Sequence, residues 1–285
     1  MDGVKGGAAP PVPVAAVSAT LNYLRPGSRR NRLYVAPGGH MTTTEYAPTT
    51  VTITNARPYA GDFSLDGSGF TLLRHASAVE DFGDPAQLDG TYRAEAGELV
   101  KQALGADEIV TLGWVIRRAN KALDGAQPPA SDVHVDIHPG RADDRMTAAS
   151  PRGEPYKRAV MTSLWRAFSP PPQDWPLALL DYRSVADAEG EPNLLLFVDQ
   201  LPDPGNVPDI EDPDAMPAGS IFAPEPRHRW WFFPDLTAGE ALLFKLHDTD
   251  HSVAWRVPHT AFETPYAAGA NPRESVELRS IAFFY

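Results

Sequence analysis

Apolar residues recur along this chain in short runs, and the spacing within the runs predicts mostly strands. Residues 17–24, 32–35 and 49–55 alternate in part or are strongly β-branched, as half-buried pleated segments are. Residues 63–74 suggest a hairpin turning at Asp66-Gly67. The period then changes: Tyr92, Ala96, Leu99, Val100, Ala103 and Leu104 recur at helical spacing within residues 84–104, and Gly105 is the stop. Residues 107–119 are apolar-rich without a clear period, as a second short helix running into a strand would be. A Gly/Pro-bearing loop at 123–132 leads into a strand over 132–138, and residues 141–150 read as a helix. Further strands are predicted at 157–168, 177–180, 194–198, 229–233, 241–246, 253–257 and 275–285. Many short strands, with the helices gathered in the first half, predict a mainly β fold with supporting α-helices, a sandwich or barrel. No repeat or composition boundary divides residues 17–285, which read as one domain. The Ala/Pro/Gly-rich residues 1–16 read as a disordered tail rather than a leader. The acidic, proline-rich stretch 202–217 fits a lid or a plain surface excursion.

Composition narrows the function classes. With 285 residues, 42% hydrophobic and 22% charged, the chain has the make-up of an ordinary globular protein. No run approaches the roughly 18 apolar residues of a membrane helix. The absence of cysteine removes thiol nucleophiles, zinc–thiolate sites and disulfides together, which fits a cytoplasmic setting and also an exported protein without disulfides. A formal net charge of -12 argues against nucleic acid as a partner, because phosphates demand the opposite sign. No glycine-rich nucleotide loop and no Gly-x-Ser-x-Gly elbow is present.

In residues 132–138, apolar Val133, Val135 and Ile137 alternate with His134, Asp136 and His138. A period of two puts the polar three on one face, so His134 and Asp136 can converge as two-thirds of a 2-His-1-carboxylate metal site. The best candidate for the third ligand is His259, far along the chain. A solvated edge strand would carry the same local pattern. Arg273, Ser275, Glu277 and Arg279 share one face of the last strand, and a guanidinium beside a hydroxyl cradles a carboxylate well. His138 offers a spare ligand, but Pro139-Gly140 directs it out of the strand. His247, Asp248, Asp250 and His251 pack four potential ligands into five residues, and their composition favours a solvated turn. Arg166 and Arg279, cations in apolar strands, are candidate substrate contacts, as are Trp165 and Trp231.

The segments 164–166, 175–179, 181–185, 228–234, 240–245, 258–262 and 272–279, in that order, resemble the CmcJ/NvfI oxidoreductase family, which tailors natural products. Residues 63–66 and 133–136 match its N-terminal half. The resemblance covers roughly residues 17–285. It implies a double-stranded β-helix (jelly roll) and an Fe(II)/2-oxoglutarate-dependent dioxygenase that uses O2 on a small-molecule substrate. By this likeness His134, Asp136 and His259 bind iron, while Arg273 and Ser275 bind 2-oxoglutarate. One departure is Ser163-Leu-Trp-Arg-Ala167, where the family shows Asn-Val-Trp-Arg-Pro, which points to a different substrate. Hydroxylation, desaturation, ring formation and peroxidation all remain open, as does a homodimer. So do a cupin-like metalloenzyme that needs no 2-oxoglutarate and a β-sandwich that only binds a small molecule.

Overall fold

The structure, a computed structural model, describes residues 14–28, 31–37, 39–119, 127–207, 216–265 and 269–285. Two sheets face each other across one apolar interior. The larger runs in the order β1 (Ala16–Leu24), β4 (Tyr46–Asn55), β12 (Trp230–Phe232), β9 (Leu177–Leu180), β14 (His259–Ala261), β7 (His134–Val135), β11 (Met216–Ile221), β10 (Glu191–Phe197), β2 (Arg32–Ala36), β3 (Gly39–Thr42). The smaller runs β5 (Phe70–Arg74), β13 (Glu240–Asp248), β8 (Arg158–Ala167), β15 (Glu274–Phe284), β6 (Glu108–Arg118). All pairings are antiparallel except β10 with β2 and β12 with β4. The expected mainly β jelly roll is the fold observed.

The smaller sheet is buried on both faces, and its strands therefore read as nearly continuous apolar runs. On β8, Met161 and Trp165 face the interior between the sheets, while Leu164 faces outward. On β13, Leu242 and Phe244 point inward and Ala241 and Leu243 outward. The outer side is covered by a composite helix: α1 (Pro85–Gln87), a wider π turn at Leu88–Tyr92, then α2 (Arg93–Leu104). Leu88, Tyr92, Ala96 and Val100 are its buried stripe against Leu164, Leu243, Val276 and Leu278. Asp84 caps its start by accepting from the Ala86 N–H, and Gly105 ends it in the left-handed conformation at φ 67°.

Several expectations are corrected. Residues 107–119 hold no helix but the single strand β6, whose alternation is broken by a bulge at Leu112. Val110 and Leu112 pack into the interior, and past the bulge Trp114 and Ile116 pack outward. The hairpin at 63–74 does not form: residues 65–68 are a turn, and β5 pairs with β13 instead. Residues 253–257 are not a strand, although Val257 donates to the Lys245 carbonyl. The predicted strand 132–138 is only the two residues of β7. His138 then accepts from the Gly140 N–H and caps α3 (Pro139–Ala149), as its Pro-Gly successor suggests. The cluster at 247–251 is no solvated turn at its start, since His247 and Asp248 are buried. Asp248 takes both Arg158 and Lys245 as partners. Residues 1–13 of the expected tail and 208–215 of the candidate lid lie outside the described residues.

Candidate metal centre and co-substrate cavity

β14 lies between β9 and β7, so His259 is placed directly opposite His134. The two imidazoles sit with ring centroids 4.5 Å apart. Asp136, one residue past β7, completes the cluster, with His134 Nε2 3.7 Å from Asp136 Oδ1 and His259 Nε2 3.4 Å from Oδ2. One ligand atom from each residue lies within 4.8 Å of the other two.

The second ring nitrogens are already committed. His134 Nδ1–H donates to the Asp132 carbonyl at 2.8 Å, and His259 Nδ1–H donates to the Val257 carbonyl at 3.0 Å. That assignment leaves both Nε2 lone pairs directed at the common centre. Arg279 Nη2 donates to Asp136 Oδ1 at 2.6 Å, and Oδ2 has no hydrogen-bond partner. Burial opposes the Asp136 charge, yet the Arg279 guanidinium beside it holds its carboxyl well below the usual range. Two nitrogen donors and one free carboxylate oxygen suit a first-row divalent ion.

Beside this cluster is a small cavity lined by Trp165, Leu177, Phe244, Arg273 and Glu277 as well as the two histidines. Arg273 is buried at 1% exposure, with its guanidinium 5.5 Å from the Trp165 ring. Nη1 donates to the Trp175 carbonyl, while Nε and Nη2 have no partner. Ser275 Oγ, two residues along the same face, is also buried and unpartnered. Burial, with Arg117 nearby, pushes Arg273 down to about 9. A buried cation with two idle donors and a hydroxyl beside it is a strong demand for an anion. A carboxylate answers it through a forked pair of hydrogen bonds plus one from the serine.

The candidate substrate residues separate. Trp165 lines the small cavity rather than an open cleft. Arg166 faces the other side of β8, donating to the carbonyls of His75 and Ala238 over the Tyr92 ring. Trp231 packs edge-on against Phe63 and Tyr59 and lines neither the small cavity nor the cleft next to it. Arg279 lines the cleft next to the small cavity, but its guanidinium is taken up by Asp136 and Glu277. His138 is a helix cap. Sequence reasoning missed Arg117, which lines both the small cavity and a neighbouring open cleft. Its inward position follows from the bulge in β6, which leaves no mark in the apolar pattern.

A jelly roll that gathers two imidazoles and a carboxylate beside a buried anion cradle defines the class of mononuclear non-haem metal oxidoreductases. Residues 21–283 match the family described as an oxidoreductase/YMDC permease-like domain, and the chain belongs to that family. It is 29% identical to the hydroxylase/desaturase efuI of Hormonema carpetanum, over 94% of this chain and 95% of the relative. It is 27% identical to the Fe(II)/2-oxoglutarate-dependent dioxygenase nvfI of Aspergillus novofumigatus, over 88% of this chain and 89% of that one. The solved structure of the iron and alpha-ketoglutarate-dependent endoperoxidase NvfI superposes with a TM-score of 0.80 at 25% identity, covering 95% of this chain and 98% of that one. Among the described residues no helix is long and apolar enough to cross a membrane.

Proposed function

We propose that the protein is an Fe(II)/2-oxoglutarate-dependent dioxygenase that oxidises a small natural-product intermediate. His134, Asp136 and His259 hold the iron, and Arg273 with Ser275 holds the far carboxylate of 2-oxoglutarate. The observation that carries the reading is the Arg273–Ser275 cradle beside the His-Asp-His cluster, where a buried guanidinium has two nitrogens without partners. When bound, Fe(II) with 2-oxoglutarate and O2 supplies the oxidising power for a C–H bond, with succinate and CO2 as co-products.

The protein's own groups prepare that chemistry. The Asp132 and Val257 carbonyls hold both imidazoles in the ligating tautomer. Arg279 fixes the Asp136 carboxylate and leaves its second oxygen free. Trp165, Leu177 and Phe244 keep bulk water from the co-substrate and strengthen the charge pairing within it. The open cleft on the Asp136 side is where substrate enters. We read the enzyme as cytoplasmic, built on a single domain and without a nucleic-acid partner.

The test is anaerobic reconstitution with Fe(II), then measurement of iron content and of succinate released from 2-oxoglutarate in air. Stoichiometric iron and steady succinate formation are expected. Both should vanish in Asp136→Ala, while a folded Asp136→Ala protein with full iron and succinate formation would sink the ligand assignment. Iron without any succinate would instead leave Arg273 and Ser275 with no role.

A further inference from the structure

The cleft on the other side of Asp136 from the small cavity is large, about 770 Å³. Its floor carries Asp136 and Arg279, and Leu33, Val115, Ile137 and Leu195 supply apolar wall. The rest of the lining is strongly charged, with Arg117, Arg141 and Arg145 set against the single further acid Asp144. In a chain of formal charge -12, a concentration of guanidiniums in one cleft is against the general trend.

These arginines are not equivalent. Arg279 is committed to Asp136 and Glu277, while Arg117 donates through Nη1 to the Pro128 carbonyl and has its Nε 3.9 Å from Glu277 Oε2. Arg141 and Arg145 lie one turn apart on α3, so their side chains rise from the same stripe of the helix. Both are exposed, and among the described residues neither guanidinium has a hydrogen bond or an ion pair. The stripe about 100° round α3 is anchored by Ala142 and Met146, which are fully buried. That anchoring fixes the arginine stripe towards the cleft rather than leaving the helix free to turn.

From this lining we infer that the substrate is a carboxylate anion on a largely hydrocarbon skeleton. Arg141 and Arg145 grip the carboxylate at the rim. Leu33, Val115, Ile137 and Leu195 cover the skeleton and lay it against the Asp136 side of the metal centre. Two guanidiniums at helical spacing match the two oxygens of one carboxylate. The apolar wall excludes a wholly polar ligand, which would leave its hydroxyls without partners there. This deepens the proposed function and rests on the cleft being the substrate's entry, so the two are tested by separate readouts.

The experiment measures equilibrium binding of adamantane carboxylate and of the naphthoate ion, each beside its methyl ester. Protein saturated anaerobically with Fe(II) and 2-oxoglutarate is used first, and metal-free protein second. Wild-type protein should bind each acid about tenfold more tightly than its ester, the scale of two partly solvated charge pairs. The double variant Arg141→Gln with Arg145→Gln should lose that preference and keep its affinity for 2-oxoglutarate. Acids that bind no better than their esters, including no binding by either, overturn the inference. So does a preference that survives in the double variant, or a double variant weakened for 2-oxoglutarate instead. Failure of the iron or 2-oxoglutarate loading sinks the enzymatic reading alone, because the acid–ester comparison still runs on the metal-free protein.

Discussion

The contrast between Arg273 and Arg166 shows what a single residue's surroundings decide. Both are buried arginines of the smaller sheet, Arg166 within β8 and Arg273 just before the first residue of β15. Both Nη atoms of Arg166 are taken up, by two backbone carbonyls and the His75 ring, and only its Nε lacks a partner, whereas Arg273 keeps Nε and a whole Nη2 idle. The first is a structural cation and the second awaits a ligand. Arg273→Gln should therefore weaken 2-oxoglutarate about ten- to a hundredfold while leaving iron content unchanged, read by titration of the iron-loaded protein. Arg279 differs again, because it works through Asp136. Arg279→Gln should lower iron affinity by about ten- to a hundredfold, as loss of a group that orients a metal ligand does. Competition with a chelator measures it, and an unchanged iron affinity would show that Asp136 needs no such support.

At the scale of elements, the site depends on strands that are short and closely packed. β7 is held by β11 on one side and by β14 on the other. Gly219 in β11 makes that approach possible: a Cβ there would stand 2.4 Å from the Val135 carbonyl oxygen. Gly219→Ala should therefore push β11 away from β7 and reduce both thermal stability and iron affinity, although residue 219 touches no ligand. Gly105→Ala makes a useful comparison. Nothing lies near its Cβ position, so only the left-handed backbone at φ 67° is penalised, by about 1–2 kcal/mol. Its melting temperature should fall with iron affinity intact. The helical span 84–104 and most strands are legible from periodicity, since each buries a continuous stripe. Residues 107–119 are not legible, because one bulged residue reverses which positions face inward. The same bulge turns Arg117 towards the site.

Over the whole molecule, burial and ion pairing set the response to acid. Burial lowers His228 and His247, whose charged forms are poorly solvated there. Glu189 and Glu240 are also held below their ordinary values, Glu189 against its own burial by Ala186 and His228, and Glu240 chiefly by Arg57. For each group the folded state binds its proton more weakly than the unfolded state. The stability they contribute is therefore present above the unfolded values and is lost as pH falls through the folded ones. Thermal stability should decline steadily as pH drops from about 6.5 through the carboxylate range. A melting temperature that rose on acidification would contradict this. The buried Lys245–Asp248 pair, joined by Asp66 and Arg158, ties β13 to β8 and to the 65–68 turn. Lys245→Met should cost about 3 kcal/mol, the low end for breaking such a pair, because Arg158 still faces Asp248. Chemical denaturation reads that difference.

The linear order of residues was enough to establish several features by itself. Alternation and β-branching marked a mainly β chain with helices in its first half. His134-x-Asp136 and Arg273-x-Ser275 each placed two functional groups on one face, because side chains of a strand repeat every second residue. Tertiary structure alone decided what those pairs meet. His259 is brought to His134 by pairing across β14 and β7, a contact between segments more than a hundred residues apart that no local period encodes. It also decided which cations stay unpaired, separating Arg273, Arg141 and Arg145 from Arg166 and Arg279. Charge satisfaction depends on neighbours supplied by other strands and loops, and those neighbours exist only once the sheets have closed.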